Sequence, residues 1–150
     1  MRYTILTLGF LATHTLAQSC GGDKFTDRCQ PHPFGDFMDH VFLSVPWKSL
    51  NSCATLCPLV SNNVGDWQLN LTGAAVGEKR TLVENGLCQL SLSRLTGKAS
   101  DPLNIVLAKQ DVLLMVQSAV NWASPLDKLG IDGVKFDMKC DGKDFAYWVE

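Results

Sequence analysis

The chain has 150 residues, of which 46% are hydrophobic and 19% charged, and its formal charge is −2 at pH 7. That length fits one domain with a core of its own. The mild acidity and the absence of a dense basic run argue against general nucleic-acid binding, which needs cations to neutralise phosphates.

The first element is a leader. Arg2 supplies a positive end, Ile5 to Leu11 is a short apolar run, and Thr15-Leu16-Ala17 offers small residues at the positions a signal peptidase reads. Cleavage after Ala17 is expected, making residues 1–17 a signal peptide and leaving 133 residues. The run is too short for a membrane anchor, which needs about twenty apolar residues. Without Arg2 the mature chain carries 12 Lys and Arg against 15 Asp and Glu, a formal charge of −3. Leu103 to Ala123 is also apolar, but Lys109, Gln110 and Asp111 interrupt it. No stable membrane insertion is expected, and the product should be soluble, extracellular and monomeric.

All six cysteines, Cys20, Cys29, Cys53, Cys57, Cys88 and Cys140, follow the leader. In an oxidising compartment they read as three disulfides, with fifteen possible pairings. Zinc is the rival reading for Cys53 and Cys57 with His32 and His40 upstream. No second close cysteine pair completes a four-ligand site, so no metal or other cofactor is expected. Cys53 and Cys57 sit one helical turn apart with side chains running alongside each other, and each should reach a different partner.

Residues 18–48 are rich in Gly, Pro and Asp and read as an N-terminal arm tied down by Cys20 and Cys29, with a short strand near Val41 to Val45. The core then spans 49–150. From Ser49 to Val60, Leu50, Cys53, Leu56, Cys57 and Val60 recur at helical spacing behind Ser49 or Asn51 as N-cap. Pro58 would shorten or kink that helix in its last turn.

Three later segments alternate with a period of two: Trp67, Leu69, Leu71; then Cys88, Leu90, Leu92; then Val134, Phe136, Met138, Cys140. Each predicts a strand with one buried face. Phe145, Tyr147 and Val149 predict a last strand, joined to its predecessor by the turn Asp141-Gly142. In Lys109 to Ala123 the residues Val112, Met115, Val116, Ala119, Val120 and Ala123 line one helix face, and Pro125 follows. The expected fold class is α+β: a two-layer α/β sandwich with an antiparallel sheet of about four strands, two helices packed on one face, and disulfide staples.

The catalytic search returns mostly absences: no Gly-x-Ser-x-Gly elbow, no His-Glu-x-x-His, no phosphate-cradling glycine loop. His32 and His40 with Asp36, Asp39 and Glu84 have the groups of a small ribonuclease, yet His32 reads better as part of a polar arm between prolines, and Asp36, Asp39 and His40 as solvated loop residues. Asn70-Leu71-Thr72 is an N-glycosylation sequon whose Asn70 falls on the solvent face of its strand. Lys135, Lys139 and Lys143 share or adjoin the polar face of the C-terminal hairpin, either as a contact surface for an anionic partner or as lysines that protect a solvated strand.

The ordered set Gly86-Leu-Cys88-Gln-Leu-Ser-Leu92, Asn104-Ile-Val106 leading into Gln110-Asp-Val112, and Gly133 followed by Met138-Lys-Cys140 and Gly142 ends in an aromatic strand. With Cys20-Gly21 before Phe25 and Cys53 before Leu56, it resembles the necrosis-inducing-factor domain of fungal secreted effectors, the extracellular-protein-two-like group. The resemblance covers most of the mature chain and departs at an insert around residues 26–48 and at Leu87, where the family more often has Thr.

The resemblance implies a secreted virulence factor or necrosis-inducing elicitor that acts by binding a host protein or membrane component, without catalysis. Its alternative is a killer-toxin-like antimicrobial protein acting by channel inhibition or RNA cleavage, since such domains are distantly similar to fungal killer toxins with a split α/β sandwich. Cys20, Cys53, Cys88 and Cys140 match the family's usual cysteines. The resemblance thus implies pairs Cys53–Cys88 and Cys20–Cys140, with Cys29–Cys57 as an added bridge.

Overall fold

The computed structural model describes residues 20–21, 24–31, 41–42, 50–123 and 131–150. The expected signal peptide, the Ser49 cap, Pro125, and His32, Asp36, Asp39 and His40 lie outside the described residues. In chain order the elements are β1 (Cys29–Pro31), β2 (Val41–Phe42), a 3-10 segment (Leu50–Thr55), α1 (Leu56–Asn62), β3 (Trp67–Asn70), β4 (Lys79–Asn85), β5 (Cys88–Arg94), β6 (Asn104–Leu107), α2 (Lys109–Ala123), β7 (Ile131–Cys140) and β8 (Lys143–Val149).

The α+β class holds, but the sheet is larger than the four strands expected. Among the described residues it has six strands, in the order β1-β7-β8-β5-β4, with β2 also pairing with β7. β3 leaves this sheet and forms an antiparallel ribbon with β6, Trp67 opposite Leu107 and Asn70 opposite Asn104. β4 is hidden in the sequence because its register shifts between Thr81 and Val83, and that bulge breaks the period-two pattern. β1 comes from the segment read as an arm and is too short to show a period, whereas β2 lies within the short strand expected near Val41 to Val45.

The central strands follow the alternation of the sequence. Leu90 and Leu92 of β5 stand opposite Val149 and Tyr147 of β8, which stand opposite Val134 and Phe136 of β7. One row further on, Met138 stands opposite Phe145. Phe145, Tyr147, Leu90, Leu92, Val134 and Met138 are buried, and the Phe136 and Tyr147 rings stack at 5.0 Å. A stacked aromatic pair adds about 0.5–1.5 kcal/mol beyond the area it buries.

The helix expected from Ser49 to Val60 is two elements. The turn is tight from Leu50 to Thr55, where the Thr55 hydroxyl donates to the Ser52 carbonyl at 2.8 Å, and α-helical only from Leu56. Pro58 therefore lies in the first turn of α1, not the last. The N–H that proline lacks would have no intrahelical partner there, so no hydrogen bond is lost. Leu50, Cys53, Leu56, Cys57 and Val60 all point inward, as their spacing requires. α2 buries Val112, Met115, Val116, Ala119 and Ala123, and packs on the 3-10 segment and α1 as well as on β7 and β8.

Candidate functional site

Three disulfides frame the molecule: Cys53–Cys88, Cys20–Cys57 and Cys29–Cys140. All six cysteines are buried. Cys53 and Cys57 take different partners, as their common helical face dictates. Two of the pairs that the family resemblance implied, Cys20–Cys140 and Cys29–Cys57, are overturned. The cause is β1: its pairing with β7 sets Cys29 opposite Cys140, with Cα atoms 4.1 Å apart. Cys20 is carried to the helical side instead, where its amide donates to Gln117 Oε1 of α2 at 2.6 Å beside Cys57 of α1.

The stretch 24–31 is latched between these two bridges. Buried Asp111, in the first turn of α2, accepts from the Thr26 amide and from the Thr26 hydroxyl, both at 2.7 Å. Carboxylates are favoured at that end of a helix, where unpaired N–H groups carry a partial positive charge. Arg28 then reaches the β7–β8 turn. Its Nη2 donates to Asp141 Oδ2 at 2.6 Å, its Nε lies 3.2 Å from both oxygens, and Nη1 reaches Asp66 at 3.4 Å. The pairing holds the Asp141 carboxyl below its ordinary value of 3.8, chiefly through the Arg28 hydrogen bonds, and raises the Arg28 guanidinium in return. Both side chains are more than 40% exposed, so water screens the pair.

The expected lysine patch divides. Lys135 and Lys139 share the sheet face turned away from the core, where Lys135 pairs with Asp137 and Lys139 with Asp144, each at 3.5 Å. Lys143 stands opposite Cys140 and so belongs to the other face; its ammonium donates to the Asn104 carbonyl of β6 at 2.7 Å. The three side chains do not form one cationic surface. Asn70 is exposed, and its Oδ1 accepts from the Thr72 amide at 2.8 Å, the local turn that asparagine favours. Glu84 is an exposed residue of β4.

Sequence reasoning missed two clusters. On the outer sheet face the Trp148 indole N–H donates to Ser93 Oγ at 2.9 Å, with the Lys79 ammonium 4.2 Å and the Lys135 ammonium 5.7 Å from its ring centre. Glu150 ties the group together, accepting from Lys79 at 2.5 Å and from Gln89 at 2.8 Å. Trp148 was legible as the polar-face residue of the last strand, whereas Lys79 sits on the strand that the bulge conceals.

The second cluster surrounds Arg94, buried at the end of β5, which donates to the Asp101 carbonyl at 2.6 Å and the Leu71 carbonyl at 3.3 Å. It stitches the loop after β3 to the loop after β5. Among the described residues no three His, Cys, Asp or Glu side chains converge as metal ligands, and no helix is long and apolar enough to cross a membrane.

What the arrangement offers chemically is a fixed surface: an indole on a polar sheet face, with lysines and carboxylates in alternating pairs. Compared with known proteins, the chain matches no family model and no curated sequence.

Proposed function

We propose that the chain is a secreted effector of the necrosis-inducing type that acts by binding a host protein or membrane component and carries out no reaction of its own. The observation behind this reading is the disulfide frame. Three buried bridges join segments 35, 37 and 111 residues apart, an arrangement suited to an oxidising compartment and to holding a surface in one shape. The expected leader and the ordered motif set point the same way. In this reading the helical elements and the six-stranded sheet are the two layers of a sandwich, and the sheet face that carries Trp148 is the side that meets the partner.

The test is to apply purified, oxidised protein to plant leaf tissue and to yeast cells. Necrosis confined to the plant tissue is the expected result. Arrest of yeast growth would favour the killer-toxin-like reading, and no response in either would leave a structural secreted protein. A variant carrying His32→Ala and His40→Ala should keep full activity; a marked loss in a folded variant would count for RNA cleavage. Intact-mass measurement of secreted material before and after reduction checks the compartment, with three bridges and the loss of residues 1–17 expected.

A further inference from the structure

We propose that Asn85 is a site of self-modification, converted to an aspartyl or isoaspartyl residue by attack of the following backbone nitrogen. Asn85 is the one asparagine in the chain followed by glycine. A glycine on the C-terminal side leaves the attacking nitrogen unshielded, because no Cβ stands beside it. The surrounding hairpin adds to this. Asn85 pairs with Cys88, so Gly86 and Leu87 are the two loop residues of the β4–β5 hairpin. Gly86 has φ +61° and Leu87 is not in the left-handed region, which makes the turn type II′. In that turn the ladder bonds join Asn85 and Cys88, and the Gly86 N–H lies outside the ladder. Asn85 and Gly86 are both exposed, and the carboxamide makes one long hydrogen bond, from Nδ2 to the Thr55 carbonyl at 3.3 Å.

The reaction needs only water and base. Gly86 N gives its proton to solvent base and forms a bond to Asn85 Cγ; the Cγ–Nδ2 bond breaks, and Nδ2 departs as ammonia after taking up a proton. Water then opens the resulting five-membered imide at either carbonyl. The net change replaces NH by O and a neutral carboxamide by a carboxylate. The product loses the donor to Thr55 and sets a negative charge against that carbonyl, so the hairpin tip comes away from the 3-10 segment while Cys53–Cys88 still holds its base.

The Asp141-Gly142 turn is the internal contrast. Its carboxylate is held by Arg28, its amide donates to the Arg28 carbonyl at 2.8 Å, and an ionised carboxylate resists nucleophilic attack.

The test is to incubate the oxidised full chain in mildly alkaline and mildly acidic buffer and to map peptides by mass, separating aspartyl from isoaspartyl products. The expected result is a mass gain equal to exchange of NH for O at position 85 before any other asparagine, faster in alkali, and absent at that position in Asn85→Gln, whose longer side chain closes the ring poorly. An intact Asn85 in the folded protein, with conversion there only after reduction and unfolding, would overturn the proposal. So would earlier conversion of another asparagine in the folded chain.

Discussion

The β7–β8 and β4–β5 hairpins use one device in two ways: a tight two-residue turn with a disulfide cysteine directly beside it. In the first, Cys140 precedes Asp141 and Gly142, both with positive φ, at +48° and +76°, a type I′ turn in the middle of the sheet. In the second, Cys88 follows Gly86 and Leu87 at the sheet's edge, and Leu87 is 71% exposed. The central turn is braced from outside by Arg28 and by β1, both more than a hundred residues away in the chain. The edge turn is tied to the 3-10 segment, about thirty residues away, by the long Asn85–Thr55 bond and by the Cys53–Cys88 bridge, with Ser52 Oγ 3.4 Å from Cys88 Sγ. The two turns share a length and a neighbouring cysteine, and differ in how distant a part of the chain docks on them.

The largest effect that would break this comparison is removal of its bridges. Replacing both Cys29 and Cys140 by Ala opens a loop of 111 residues, which loop entropy values at about 5 kcal/mol, against about 4 kcal/mol for Cys53 with Cys88. Denaturant titration reads both, and a larger loss from the Cys53–Cys88 pair would invert the ranking. Next come Gly142→Ala and Gly86→Ala, each placing a Cβ at positive φ and costing about 1–2 kcal/mol. Equal losses in thermal unfolding would show that both turns are native-like in solution.

Smaller effects depend on pH. Asp141 is depressed below 3.8 in the folded protein, so its contribution is full above that value and is lost as pH falls through the lower, folded one. Asp141→Asn keeps a residue that tolerates positive φ but removes the charge; it should be less stable at neutral pH and lose this acid limb. Tyr147 behaves oppositely. Burial raises its phenol above 10.0, so the neutral form's contribution is full below that value and is lost as pH rises toward the folded one. Tyr147→Phe should flatten the alkaline limb of the stability curve.

Much of the centre was legible because a strand with one buried face prints a period of two. Leu90, Leu92, Phe136, Met138, Phe145 and Tyr147 were assigned to the core on that ground and are there or packed against it. The α2 face was legible in the same way from its helical spacing. The edges were not. β4 carries a bulge, β6 has four residues, and β1 has three, so none yields a readable pattern. Cys53–Cys88 is the pair expected, but the other two bridges failed with these strands: Cys29 meets Cys140 through β1, and without that strand no spacing rule selects the pair. The Trp148 group stayed hidden for a related reason, since Lys79 reaches the ring from β4, two strands away.

The order of the bridges along the chain has one more effect. The spans 20–57, 29–140 and 53–88 overlap, so every peptide bond between Cys20 and Cys140 lies within at least one of them. A protease that nicks the chain once in that interval frees no fragment: the cut product migrates as a single species until a reductant is added, and digestion within the interval must cut repeatedly before a piece of it is shed.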